Sequence, residues 1–182
     1  YMLIPFIQLM RQEGIAYHNP YRLKQGAWNP LNHGRGTSSA ERLTSFMKFS
    51  ESLWGEAASA VWSAEDLQKW IPLIDSKVLK HGIKEKLKKA KPTEKFTIAD
   101  VFSDEDALTM VFGSEEKKLE WFEANLTAEG KKKMQYPLRV LKKKASQLLS
   151  QPQVIVGTIH SVKGGEADIV YVLPDFAKPQ VR

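Results

Sequence analysis

A mixed α/β fold, broken by a mainly helical insertion, is predicted by three features of this 182-residue sequence. Near its end, two short apolar runs, Val154 to Val156 and Ile169 to Leu173, flank a polar stretch with a double glycine. That is the pattern of strand, loop and strand. At its start, an amphipathic stretch runs into Gly14 and then into a short strand-like segment. Between these, residues 40–150 carry apolar residues at helical, three-four spacing almost throughout.

Taken in order, residues 1–14 place Leu3, Ile4, Phe6, Ile7 and Met10 on a helical pattern. Gly14 suits the C′ position, where a left-handed backbone closes a helix. Ile15-Ala16-Tyr17 then suits a strand, and Asn19-Pro20 and Trp28-Asn29-Pro30 mark a loop. Residues 33–39 form a boundary rich in small residues, with Ser39 the expected N-cap of a helix carrying Leu43, Phe46 and Met47. Ser63 with Asp66, and Ser103 with Asp106, have the spacing of capping boxes, with Asp in the fourth place. Leu67, Trp70 and Ile71 share a helical face, as do Leu119, Phe122 and Leu126. Pro137 fits the first turn of a last helix, along which Leu138, Leu141, Ala145 and Leu148 recur. Val154 returns the chain to strand. The first residues begin inside an amphipathic pattern with no cap, and the last come closely after a strand, so the chain reads as a piece of a longer protein. The layout is nested: residues 1–36 and 151–182 share one α/β unit, and residues 40–150 are the helical insertion.

Composition narrows the class. A hydrophobic fraction of 42% suits a globular protein with a core. The net charge of +6 favours a polyanionic partner. Without cysteine there is no disulfide framework and no cysteine-ligated zinc, which fits a cytoplasmic location. No apolar run reaches the ~18 residues needed to span a membrane. His18, His33 and His81 form no ligand-spaced cluster, so no metal site is expected.

The stretch from Val156 to Val172 carries the chemistry. It contains T-x-H-x-x-K-G-x-E as Thr158, His160, Lys163, Gly164 and Glu166, with Gly165 before the glutamate. A hydroxyl, an imidazole and an ammonium can donate to phosphate, while a carboxylate accepts from a hydroxyl. This segment resembles motif V of superfamily 1 helicases of the UvrD/Rep/PcrA type. The likeness extends to the start, where a helix followed by Gly14-Ile15-Ala16-Tyr17 is similar to the family's segment after motif IV. The resemblance implies a fold: part of a RecA-like, P-loop-NTPase-type domain (2A) interrupted by a helical 2B-like insertion. Residues 1–36 and 151–182 are then the two parts of 2A and residues 40–150 the insertion, which is short for a full 2B domain.

The resemblance also implies roles. Thr158 and His160 contact the backbone of single-stranded DNA. Lys163 shapes the loop or adds charge toward phosphate. Glu166, with Gly165 beside it, lies on the nucleotide side and accepts from the ribose hydroxyl of ATP. Where Gly165 stands the family usually has a large apolar residue, commonly leucine. Asp168 is a second acidic candidate, or the cap of the next strand. Arg22 is a further candidate for DNA or nucleotide, and Trp28 for base stacking. The chain has no G-x-x-x-x-G-K-[ST] loop and no motif VI arginine. ATP and Mg²⁺ therefore belong to the full-length parent, whose 1A domain is a partner of this region, and the fragment alone is expected to be inactive. The parent would be a 3′-to-5′ DNA helicase. Two other classes stay open: a non-catalytic nucleic-acid-binding module that retains motif V, and a region of a helicase–nuclease repair complex.

Charge in the insertion is segregated. Residues 77–95 hold eight Lys against two acids, residues 100–129 nine acids against two Lys, and residues 131–144 six Lys and one Arg with no acid. Either these faces neutralise one another across the fold, or the lysines form a basic track for duplex DNA.

Overall fold

A computed structural model describes residues 3–19, 31, 36–51, 61–104, 115–148 and 150–172. Among the described residues the fold is mixed α/β, with short helices and two small sheets. The chain divides into two compact units: residues 1–33 with 138–182, and residues 34–137. Residues 138–150, expected from the sequence to belong to the insertion, fall in the first of these. Among the described residues no helix is long and apolar enough to cross a membrane.

The first unit is opened by α1 (Leu3–Gln12). Ile15 N–H donates to Met10 C=O at 2.9 Å and Gly14 N–H to Arg11 C=O at 3.4 Å, the two bonds of a Schellman motif. Gly14 has φ +62°, as a C′ residue requires, and an added Cβ would lie 2.7 Å from the Arg139 backbone. Next comes strand β1 (Tyr17–His18), two residues later than the sequence suggests. It pairs in parallel with β4 (Val154–Ile155), Tyr17 opposite Val154 and His18 opposite Ile155. Met10, Ala16, Tyr17, Leu138, Val140, Leu141, Leu148 and Val156 are buried in this unit. Ala145 is exposed, because the last helix stops at Lys143 and a 3₁₀ turn over Ala145–Leu148 changes the periodicity from 3.6 to 3.0.

The second unit is not wholly helical. It holds an antiparallel pair, β2 (Val61–Ser63) with β3 (Lys95–Thr97), in which Trp62 faces Phe96. Three-residue strands leave too little alternation to be recognised in the sequence. Around the pair run α2 (Ser39–Glu51), α3 (Ala64–Trp70), α4 (Ile83–Lys89), α5 (Ile98–Val101) and α6 (Glu115–Ala124). Helix α7 (Ala128–Lys143) begins here and carries Pro137 in its interior, not in its first turn; the helical spacing starts with Met134 and runs through the proline. Phe46, Trp62, Trp70, Phe102 and Phe122 are almost fully buried and form one aromatic cluster. Phe46 meets Phe122 at 4.3 Å and Trp70 at 5.2 Å between centroids. Trp62 lies edge-on to both Trp70 and Phe102 at 5.7 Å. Leu67, Trp70 and Ile71 are buried together as expected; Leu119 is only half-buried beside buried Phe122 and Leu126.

Several helix starts in this unit are fixed by side-chain caps, whereas α4 starts at Gly82 without one. Ser63 caps α3 by accepting from Asp66 N–H at 3.1 Å. The box at Ser103 and Asp106 falls partly outside the described residues. The cap of α2 is Ser38, one residue before Ser39: its Oγ accepts from Glu41 N–H at 3.1 Å and its N–H donates to the Glu41 carboxylate at 2.7 Å. Ser39 has no such acid three residues on. A further box joins Thr97 and Asp100, with Thr97 N–H donating to Asp100 at 2.8 Å.

Gly14→Ala and Gly82→Ala both force an L-residue into a left-handed backbone, at about 1–2 kcal/mol each. Gly82 has φ +77° with open space around it, whereas Gly14 faces the Arg139 backbone. Chemical denaturation is expected to show Gly14→Ala as clearly the more destabilising. Equal losses would mean that the Gly14 approach is not tight.

The caps also make stability depend on pH. Bonds from Ser38 hold the Glu41 carboxyl below its ordinary pKa, and bonds from Thr97 do the same for Asp100. A lowered folded pKa means that the unfolded chain binds more protons, so this stabilisation is present above about pH 4 and is lost as pH falls through the folded values. Melting temperatures from neutral to acid pH are expected to fall less steeply below about pH 4 in Glu41→Gln/Asp100→Asn than in the parent chain. An unchanged slope would remove the caps as its source.

Candidate functional site

The resembling segment begins where the sheet ends. Val156 N–H donates to His18 C=O at 2.7 Å, which carries the parallel ladder one residue beyond β4. Val156 is 4% exposed, so the root of the segment is anchored in the core of its unit. Burial holds the His18 imidazole below its usual pKa, so this neighbour is neutral near neutral pH.

The expected strand–loop–strand does not form among the described residues. Thr158 adopts extended geometry (φ −84°, ψ 160°) and caps a one-turn helix, α8 (Ile159–Val162). Its Oγ1 accepts from Ser161 N–H at 3.3 Å, and Ser161 Oγ donates back to Thr158 C=O at 2.8 Å. This exchange stabilises a helical turn where the apolar–polar pattern suggested open loop. The signal was present in Thr158-x-x-Ser161, which has the spacing of a cap. Lys163 then leaves helical geometry and Gly164 takes φ +81°. Gly165 N–H donates to Val162 C=O at 2.9 Å, closing the turn.

That closure gives a physical reason for glycine at 165. A Cβ there would lie 3.1 Å from the Val162 carbonyl oxygen, tighter than ordinary van der Waals contact. The second apolar run does not form a strand within the described residues. Ile169, Val170 and Val172 are each 71% exposed and Tyr171 is 86% exposed, with no ladder partner among the described residues. Periodicity marks a segment fit to pair; it supplies no neighbour to pair with. Asp168 therefore caps no strand here. Leu173 lies outside the described residues.

Thr158, His160, Lys163, Gly165 and Glu166 all lie on one continuous turn, and all are exposed. The Thr158 hydroxyl oxygen is committed to the cap, which leaves its hydrogen to donate outward. The side chains of His160, Lys163 and Glu166 make no hydrogen bond or ion pair with a described residue. The turn thus offers a hydroxyl donor, an imidazole, an ammonium and a carboxylate on a backbone held by its own bonds. Arg22 and Trp28 fall outside the described residues. Ser161 stands at one of the positions that the motif pattern leaves unspecified; its hydroxyl is spent inside the turn and is a positioning group.

Comparison with family models, with curated proteins and with solved structures returns no match for this chain. What the turn can do is therefore set by its own side chains.

Removing the cap tests the local geometry. Thr158→Val is expected to cost about 1 kcal/mol of local stability, whereas Thr158→Ser keeps the acceptor. The Ser161 amide should exchange faster with solvent in the valine variant and at the parent rate in the serine variant. Equal exchange in all three would refute the cap.

Proposed function

We propose that this chain is part of the second motor domain of an ATP-dependent DNA helicase of the UvrD-like, superfamily 1 type. Residues 1–36 and 151–182 would form two parts of a RecA-like 2A domain, and residues 40–150 a small 2B-like insertion. The observation that carries the reading is the exposed T-x-H-x-x-K-G-x-E turn, rooted on a strand that pairs in parallel with the chain's first strand. A parallel sheet with ligand-bearing loops at the strand ends is the arrangement that nucleotide-driven motors use.

In this reading the turn touches two ligands. Thr158 and His160 donate to phosphates of a single strand, which requires no base readout. Lys163 adds charge on the same side. Glu166 accepts from the ribose hydroxyl of a nucleotide, and Gly165 lets the backbone turn close beside it. The exposed, uncommitted Glu166 carboxylate fits that hydroxyl as an acceptor. ATP, when bound with Mg²⁺, supplies the free energy of phosphoryl transfer; the phosphate loop that holds it would belong to a 1A domain of the same parent chain, outside these 182 residues. A cytoplasmic setting and 3′-to-5′ movement along DNA belong to the same proposal.

Two substitutions in the full-length enzyme separate the ligands. His160→Ala should reduce DNA-stimulated ATPase while stability stays within about 0.5 kcal/mol, as for an exposed residue. Glu166→Ala should raise the KM for ATP by about tenfold to a hundredfold, the worth of a charge-assisted bond of about 1.5–3 kcal/mol. Intact DNA stimulation in the first variant, or an unchanged KM in the second, would withdraw the corresponding role.

A further inference from the structure

The turn from Thr158 to Lys163 is helical against the preference of its own residues. Ile159 and Val162 are β-branched, which lowers helix propensity, and both are exposed, Ile159 at 77%. No residue of α8 is buried, so the turn gains nothing from packing an apolar face. Strand β4 leads into it, and an extended continuation would suit both β-branched residues. The helical form is therefore held by local bonds alone.

Those bonds run chiefly between two residues. Thr158 C=O accepts from Ser161 N–H at 2.9 Å and from Val162 N–H at 3.2 Å. Ser161 adds its side chain: Oγ donates to the same carbonyl at 2.8 Å, while Thr158 Oγ1 accepts from Ser161 N–H at 3.3 Å. From Thr158 to Glu166 every residue is exposed except Ser161, which is half-buried, so water competes less for its hydroxyl.

The choice between helix and strand decides what His160 and Lys163 can do together. They are three residues apart. On a helix that spacing makes neighbours, about 5–6 Å between Cβ atoms; on a strand it puts them on opposite faces. Lys163 keeps a helical φ of −56°, so its Cβ continues the helical placement although its ψ of 126° ends the helix. In the helical form the imidazole and the ammonium stand on one side of the turn, and neither is held by a described residue.

We propose that the Ser161 hydroxyl selects the helical form of this turn over the extended one, and so brings His160 and Lys163 to bear on one phosphate together. Ser161 itself touches no ligand; it is a positioning residue. The inference rests on the reading of the turn as a single-strand contact. Two donors within reach of one phosphate depend on each other, because each improves the hold of the other. Donors on opposite faces would act independently. The pattern T-x-H-x-x-K-G-x-E supplies the two cations but does not by itself fix their relative placement.

The 182-residue chain tests this through Ser161→Val and Ser161→Thr. Valine and threonine share a branched shape and a similar helix propensity, so the pair isolates the hydroxyl. Nuclear Overhauser contacts between the His160 ring and the Lys163 side chain are expected in the parent chain and in Ser161→Thr, and should vanish in Ser161→Val. Binding of a short labelled oligothymidylate gives the second readout. In the parent and threonine backgrounds, His160→Ala with Lys163→Ala should depart from the product of the separate effects by about twofold or more. In the valine background the two effects should simply multiply. A merely structural serine would lower affinity and leave that coupling intact. Circular dichroism and slow exchange of the Val156 amide, bonded to His18 C=O, confirm that each variant is folded. Contacts absent from the parent chain, or contacts and coupling that persist in Ser161→Val, overturn the proposal alone. A parent chain that does not bind oligothymidylate withdraws the single-strand reading, and the shared phosphate with it.

Discussion

Two residues of β1 pairing with two of β4 hold the first unit together, and most of its other features are arranged around that pairing. Parallel strands cannot be joined by a tight turn, so the chain must leave the sheet and come back. Here the excursion contains the whole second unit. The pairing is short, and it is supported at both ends. On the β1 side the Schellman turn at Gly14 aims the chain out of α1, with the Arg139 backbone packed against it. On the β4 side Val156 adds one more bond to His18 and buries its side chain. The turn from Thr158 to Glu166 inherits its position from these few interactions.

The second unit is held differently. Its helices are short, and isolated helices of seven residues would not persist in water. Caps at Ser38, Ser63 and Thr97 satisfy their free amides, and the aromatic cluster supplies the burial. Side-chain bonds to backbone tie neighbouring elements: the Arg42 guanidinium donates to Lys69 C=O, and Gln68 to Leu87 C=O. The two units also differ in the side chains they expose. The first exposes apolar side chains on α1, β4 and residues 169–172, while the second exposes lysine on α4.

Features with a local cause were legible in the residues. Gly14 closes a helix because only its backbone tolerates that conformation, and Ser63 with Asp66 is a cap wherever a helix begins. Features with a tertiary cause were not. The β2–β3 pair is three residues a side, too short for alternation, and exists because Trp62 and Phe96 share the core. Pro137 looked like a first-turn residue, but the burial of Met134, Leu138, Val140 and Leu141 carries the helix through it. Ile169 to Val172 has the composition of a strand, yet composition cannot supply a neighbouring ladder. In the candidate turn, residue identities were evident and the local conformation was not, because Ser161 competes as a helix-capping partner.

The nested topology sets an order of assembly. Tyr17 leaves the ribosome long before Val154, so β1 must wait without β4 while the residues between them are made. Residues 34–137 are complete earlier and carry their own caps and core. Once they fold, the distance to be closed between β1 and β4 is no longer that of a free coil, and the entropic cost of closure falls accordingly. The inserted unit thus shortens the flexible chain that remains to be closed. A lesion in its aromatic cluster would slow the maturation of a turn to which it contributes no residue.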